Sequence, residues 1–423
     1  MPAIQHFRLF CAGMLALAAP LACVAADDDA LSLPSVSQES QTKEVSPYRL
    51  QFEAALGRAS NRYSGQSEDL RRASLDLRWT HKVSPGWQLN FSDRLDDIHP
   101  VDAGQRSTLN SLREAYASWQ GDEGSLVIEF GRINLRHGPA YGFNPTDYFR
   151  DGALRAVTSV DPFALRENRL GTVMLRAQKL WAGGAVSLAL APKIRDQASN
   201  DSFSPDFGAT NHSQRALLSW STQWSDTVSG QLLAFGESGQ GPQFGASATA
   251  LLSNAAVAHL EFSRGRQDDS LARLSGLSTT AASHNRLAVG LTYTTASRLA
   301  LTAEFQYNGA APDRSAWDAA RARAPLALVP YLIEAQRRQD SASRRALLLY
   351  ATQKSLLTKS LDLTAMLRQN LEDKSRFVWV ELRYHWDKFD AALQSQWSTG
   401  MGQSEYGILP HRQSIQLVGT YYF

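Results

Sequence analysis

The chain has 423 residues, 43% hydrophobic and 20% charged, with a formal net charge of +2. After residue 26 no run of about 18 apolar residues occurs, which excludes a bundle of membrane-crossing helices. Ordinary apolar content with 10 Trp, 13 Tyr and 17 Phe argues against a disordered chain, and near-neutral charge argues against a nucleic-acid-binding face.

Residues 1–26 read as a secretory signal. Arg8 precedes an apolar stretch over 9–21, and Val24-Ala25-Ala26 supplies small residues before Asp27-Asp28-Asp29. An uncleaved N-terminal anchor is the alternative. Both cysteines, Cys11 and Cys23, fall inside this segment. The rest of the chain therefore holds itself without disulfides and has no thiolate for metal binding or catalysis. Residues 27–46 read as a short polar periplasmic tail.

From residue 48 onward the pattern alternates with period two. The clearest case is 376–387, where Val378, Val380, Leu382, Tyr384 and Trp386 oppose Trp379, Glu381, Arg383, His385 and Asp387. About 18 strands are predicted, near 48–58, 71–82, 87–97, 109–119, 125–136, 171–181, 185–193, 214–224, 227–237, 243–252, 255–265, 285–295, 298–308, 346–357, 361–371, 376–386, 389–398 and 414–423. The apolar parity switches between Ile128-x-Phe130 and Ile133-x-Leu135, which predicts a bulge around Gly131.

The connections alternate in length. Tight ones, such as Ser84-Pro85-Gly86, Ala182-Gly183-Gly184 and Ser253-Asn254, take turns with mostly longer ones at 59–70, 98–108, 137–170, 194–213, 266–284, 309–345 and 399–413, with 238–242 and 372–375 the short exceptions. Short turns at one end and long loops at the other predict a closed antiparallel barrel spanning an outer membrane, with turns periplasmic and loops outside. The barrel would occupy 47–423. Trp87, Trp119, Trp181, Trp224 and Trp386 stand beside the tight turns, as an interfacial girdle would place them, although Trp also simply favours strands.

Two loops stand out. Segment 137–170 is far longer than neighbouring strands require, and carries Tyr141, Phe143, Tyr148, Phe149, Arg150, Arg155, Arg166 and Arg169. Thr146 or Asp147 could cap a short helix over 148–156. Aromatics are poorly placed in water and arginines poorly placed in lipid, so the segment is expected to fold into the lumen and narrow it. Its arginines would meet inward carboxylates such as Glu114 and Glu129, and Arg132 with Asp147 is a candidate latch. A loop that only caps the mouth is the alternative. Segment 309–345 reads as helical around Trp317, Ala320, Ala324, Leu328 and Leu332, interrupted by Pro325 and Pro330, and would form either a cap or a lid.

The predicted lumen face is balanced in charge. Arg49, Arg78, Arg94, Arg132, Arg176, Arg286, Arg298, Arg368 and Arg383 face Glu53, Asp76, Glu114, Glu129, Glu261, Glu304, Asp362, Glu381, Asp387 and Asp390. A pore dedicated to one sign of ion would be lopsided, so these read as ladders bracing the wall. His259, Ser263 and His385 offer little for catalysis, and no nucleotide, metal or other cofactor motif is visible.

Leu112-Arg113-Glu114-Ala115-Tyr116, Gly131-Arg132, Gly138 and Asn144-Pro145-x-Asp147 resemble a pattern shared by porin-like and polysaccharide-exporting outer-membrane barrels, with His137 where those often have Trp. The last strand adds to the resemblance, because Ile415, Leu417, Gly419, Tyr421 and Phe423 share a face and the chain ends on the aromatic. The resemblance spans about 40 residues plus that strand. It implies that Tyr421 and Phe423 are read by a barrel-assembly machinery, and that outer-membrane lipid and lipopolysaccharide surround the barrel. The expected function is a channel for diffusion or export of a polar solute or polymer. A non-conducting platform for surface polymer is the alternative, and a barrel hydrolase is further off.

Overall fold

The computed structural model describes residues 46–101, 106–277 and 281–423. The expected signal over 1–26 and all but the last residue of the expected tail over 27–46 lie outside the described residues.

Eighteen strands follow one another: β1 (Tyr48–Asn61), β2 (Ser67–Ser84), β3 (Trp87–His99), β4 (Thr108–Gly121), β5 (Leu126–Ile133), β6 (Thr172–Trp181), β7 (Gly184–Ala191), β8 (Arg215–Ser225), β9 (Val228–Glu237), β10 (Gln243–Ser253), β11 (Ala256–Gln267), β12 (Ala282–Thr294), β13 (Leu299–Asn308), β14 (Arg345–Gln353), β15 (Leu361–Asn370), β16 (Arg376–His385), β17 (Phe389–Thr399) and β18 (His411–Tyr422). Each pairs antiparallel with its sequence neighbours. β18 returns to β1 through Phe52↔Tyr421 and Leu56↔Leu417, so the sheet closes on itself.

Side-chain alternation sorts the wall. On β7, Ala185, Ser187, Ala189 and Ala191 are buried inside, while Val186, Leu188 and Leu190 are exposed outside. On β2 and β3 the interior holds Ser74, Asp76, Arg94 and Asp96, whereas Leu56 and Leu417 on the exterior are 63% and 59% exposed. Polar inside and apolar outside inverts the arrangement of a water-soluble protein. It is stable where lipid surrounds the wall and every backbone group is paired within it. Trp87, Trp181, Trp224 and Trp386 stand exposed beside the tight turns, and Trp87 pairs with Trp119. Among the described residues no helix is long and apolar enough to cross a membrane.

Several local features differ from the sequence expectation. β1 and β2 run on to Asn61 and from Ser67, which shrinks the predicted 59–70 loop to a tight turn closed by Asn61 N–H donating to the Gln66 carbonyl. The extra residue of the wall lies at Arg113, not at Gly131. Ser92 faces Glu114 but Asp93 faces Leu112, and this bulge turns Arg113 and Glu114 inward together. Gly131 keeps register with Tyr116 but adopts φ +135, where a Cβ would strike the Ala115 carbonyl. That kink leaves both Arg132 and Ile133 buried. Arg298, at φ +65, and Asp387 sit exposed in turns, not on the lumen face, because the adjoining strands begin at Leu299 and end at His385.

Candidate constriction site

The chain leaves the wall after Ile133 and rejoins it at Thr172. Between these points it reaches β11 and β13. β13 stands eight places from β5 in a ring of eighteen strands (13 − 5 = 8), which puts it close to diametrically opposite. Two carboxylates on that far wall hold the crossing segment. Glu261 of β11 accepts from the amides of Ala140 (2.7 Å) and Thr146 (3.2 Å), the Thr146 hydroxyl (2.8 Å) and the Asn144 side chain (3.1 Å). Glu304 of β13 accepts from the amides of Tyr141 (2.7 Å) and Gly142 (3.0 Å) and from Gln306 Nε2 (2.7 Å), with His259 Nε2 at 3.1 Å. Both carboxylates are fully enclosed. A buried charge is tolerable when hydrogen bonds satisfy its lone pairs, as they do here. Close approach at Ala140 depends on Gly138, at φ +88, where a Cβ would run into the Glu261 carboxylate.

Aromatic side chains seat the segment on both flanks. Tyr148 stacks on Phe235 at 4.8 Å and Phe149 meets the same ring edge-on at 5.9 Å, within a buried cluster that includes Met174, Leu217 and Leu233. Tyr141 lies between Phe163 (4.9 Å), His259 (5.8 Å) and Tyr350 (5.8 Å) on the opposite flank. Each buried aromatic contributes about 1.5–3 kcal/mol by leaving water. The helix of the segment is α1 (Pro162–Glu167), not the predicted 148–156. Pro162 suits the first helical turn, and Asp161 caps it through the Ala164 amide while accepting from the Tyr350 hydroxyl at 2.8 Å. Burial raises the Asp161 carboxyl above its usual range, against the lowering effect of the Tyr350 bond.

A second loop grips the first from the mouth. It contains α3 (Arg314–Arg323) and α4 (Leu328–Arg337), which pack through Trp317, Leu328 and Tyr331 on Leu271 of α2 (Ser270–Leu274). Directly after α4, Asp340 and Arg338 accept from Arg150 through the Asp340 carboxylate and the Arg338 carbonyl. Gln339 bridges, donating to the Arg150 carbonyl (2.7 Å) and accepting from Arg169 Nε (2.7 Å). Arg337 pairs with Asp151. Burial works against ionisation of Asp147 and Asp340, yet their arginine neighbours hold both carboxyls below the usual range: Arg169 first for Asp147, Arg286 first for Asp340.

The remaining expected site residues fall as follows. Arg132 and Asp147 form no latch. Asp147 pairs with Arg169, and Arg132 is spent on the carbonyls of Leu112, Gly171 and Pro205 and lies over the Phe207 ring. Glu129 pairs with Arg176 across β5 and β6 at 3.0 Å, as an ordinary cross-strand neighbour, and Glu114 accepts from the Asn134 amide at 3.4 Å. Arg155 donates to the Ser204 and Asp201 carbonyls, and Arg166 to those of His137 and Gly138. Arg383 forks onto Glu381 of its own strand. His259 and Ser263 are both enclosed beneath the crossing segment, and His385 sits between Asp362 and Asp390. Sequence reasoning placed Glu261 and Glu304 inside without giving them a task. It also missed Arg113, which forks onto Asp76 at 2.6 and 2.7 Å and reaches Asn168 of the crossing segment.

Beside the crossing segment a cavity of about 570 Å³ is lined by Asp147, Arg150, Phe235, Arg286, Arg338 and Asp340 among others, so both signs of charge face it.

Neither a family model nor a curated protein matches the sequence. Solved structures do match the fold. Acinetobacter baumannii OccAB1 aligns with a TM-score of 0.56 at 8% identity, covering 89% of this chain and 96% of that one. Pseudomonas aeruginosa OccK8 (OprE) aligns at 0.54 and 8%, covering 89% and 98%. Acinetobacter baumannii OccAB2 aligns at 0.53 and 10%, covering 89% and 97%. With its closed ring of eighteen strands, apolar exterior and polar interior, the chain has the fold of the bacterial outer-membrane porins.

Proposed function

We propose that this chain is an outer-membrane channel for small polar solutes and that residues 137–170 are its constriction. The observation that carries the reading is the capture of Ala140, Tyr141, Gly142 and Thr146 by Glu261 and Glu304 on the far wall, which sets a loop across the lumen. A barrel of this strand number encloses a passage unless its loops fill it. The cavity beside the loop, walled by both arginines and carboxylates, suits uncharged or zwitterionic polar solutes better than ions of one sign. The tight turns are periplasmic in this reading and the long loops face outward.

Shortening 141–166 to a few glycines and serines is the test. In planar bilayers the shortened barrel is expected to conduct several-fold more than the parent while still migrating as a heat-modifiable barrel. Unchanged conductance in an assembled barrel would remove the constriction role. Absence of any conductance from the parent would favour a non-conducting platform.

A further inference from the structure

Four separate stretches of chain build the cavity beside the crossing segment: residues 145–151 of that segment, the hairpin from β9 to β10, the connection from β11 to β12, and residues 338–340 after α4. Its volume lies within the range of roughly 300–1,000 Å³ usual for small-molecule sites. Charges of both signs border it, but they are already answered within the chain. Asp147 pairs with Arg169, Asp340 with Arg150, Asp151 with Arg337, and Arg273 and Arg338 both with Glu334. Arg286 donates to Gln267 Oε1, Arg266 to the Ala281 carbonyl at 2.9 Å, and Glu237 accepts from the Ser213 hydroxyl. Asp268, the remaining charge of the lining, is exposed. An ion of either sign that docked on the deep groups would have to break one of these pairs, and removing one partner of a buried pair is strongly destabilising.

What stays open is neutral and two-sided. Gln240 and Gln243 border the cavity, and among the described residues neither side-chain amide makes a hydrogen bond. Each amide brings a carbonyl acceptor and an NH2 donor. Gln243 lies over Gly265 of β11, where a Cβ would come within 2.5 Å of its Cγ. Two further atoms of lining residues, Asp147 Oδ1 and Arg338 Nε, are enclosed without a partner among the described residues, one an acceptor and the other a donor. Pro145 and the stacked rings of Tyr148 and Phe235 supply an apolar part of the wall.

We infer that this cavity is a binding site for a neutral polyhydroxylated solute, a short oligosaccharide. A hydroxyl both donates and accepts, so it serves the two amides and the stray acceptor and donor alike, and it leaves every ion pair in place. The C–H face of a sugar ring suits the apolar part of the wall. A ligand seated here touches the crossing segment and the mouth loop at once, and so steadies the loop beside the passage. That the site lies on a route of passage rests on the channel reading proposed above; the binding itself does not.

The test is titration calorimetry on the purified full-length barrel in detergent micelles. Raffinose and maltotriose are the neutral probes, and trigalacturonate is the charged probe of equal ring number. A neutral trisaccharide is expected to bind, and trigalacturonate to bind several-fold more weakly. Gln240→Ala and Gln243→Ala are each expected to weaken the neutral sugar several-fold while the barrel still migrates as heat-modifiable. In planar bilayers the same sugar should interrupt the current reversibly. Absence of heat from both neutral sugars overturns the inference, and so does trigalacturonate binding as tightly, or unaltered affinity when both glutamines are replaced together. Sugar binding to a barrel that carries no current would leave the site standing and remove the channel reading.

Discussion

Tyr141 and Glu304 are 163 residues apart in sequence, yet the amide of one donates to the carboxylate of the other at 2.7 Å across the barrel interior. Nothing in the local sequence of either residue requires this. The contact exists because closure of the eighteen-strand ring sets β13 opposite the point where the chain leaves β5.

Removing that carboxylate orphans several donors at once. Glu304→Ala strands the amides of Tyr141 and Gly142, the Gln306 side chain and His259 in an enclosed site. Each orphaned donor costs about 1–3 kcal/mol, so the loop is expected to leave its seat while the pairing of the wall persists. Single-channel recording should show higher mean conductance and new flicker, with assembly intact by heat-modifiability. Glu304→Gln keeps one acceptor oxygen and should fall between the two.

Acid should loosen the same loop from its other end. Asp147 and Asp340 are held below the usual carboxylate range when the loop is docked. Their contribution is therefore present above the undocked value, about 4, and is lost as pH falls through the docked values. Asp161 is shifted the opposite way, so its protonated form favours docking and its contribution is lost as pH rises through its docked value. Recordings between pH 7 and 3 should show open-state noise rising below about pH 4. Asp340→Asn should remove part of that dependence, and noise unchanged in the variant would count against the Arg150–Asp340 contact as the acid-sensitive element.

Gly138 offers a steric test. A Cβ there collides with the Glu261 carboxylate, and φ +88 strains any side chain. Gly138→Ala is expected to displace the loop and raise conductance much as Glu261→Ala does. The double variant should add little, since the two residues share one contact. Additive effects would show that they act separately.

The terminal strand can be tested by localisation. Tyr421 packs edge-on against Phe423 at 4.9 Å and pairs with Phe52 and Phe389 at the seam where the barrel closes. Replacing Tyr421 and Phe423 with serine should lower the yield of heat-modifiable barrel in the outer membrane and leave protease-sensitive chain behind. Normal yield would detach the seam from assembly.

All eighteen strands were legible in the sequence because a membrane wall imposes period two on its lipid-facing residues, and the turn lengths mark the ends. Boundaries slipped where polar residues continue a strand past the membrane, as at Asn61 and Ser67. The crossing loop was legible as a mixture of aromatics and arginines, but its partners were not. Arg132 and Asp147 looked like a pair from charge alone, yet the kink at Gly131 aims Arg132 at carbonyls. Likewise, no local signal separates Glu261 and Glu304 from Glu129, since all three sit at inward positions. What differs is which stretch of wall lies across from the loop, and that is a property of the closed ring.

The far wall holds residues 140–142 and 146 through main-chain amides, with side-chain bonds added by Thr146 and Asn144. A grip on the peptide backbone is indifferent to what the gripped residues carry. Side chains along this stretch that look into the passage are therefore free to be exchanged in drift or by design, provided Gly138, Tyr141, Asn144, Thr146 and the two glutamates stay. Such a scaffold lets a barrel acquire a new solute preference by point substitution without first finding a new way to hold its loop.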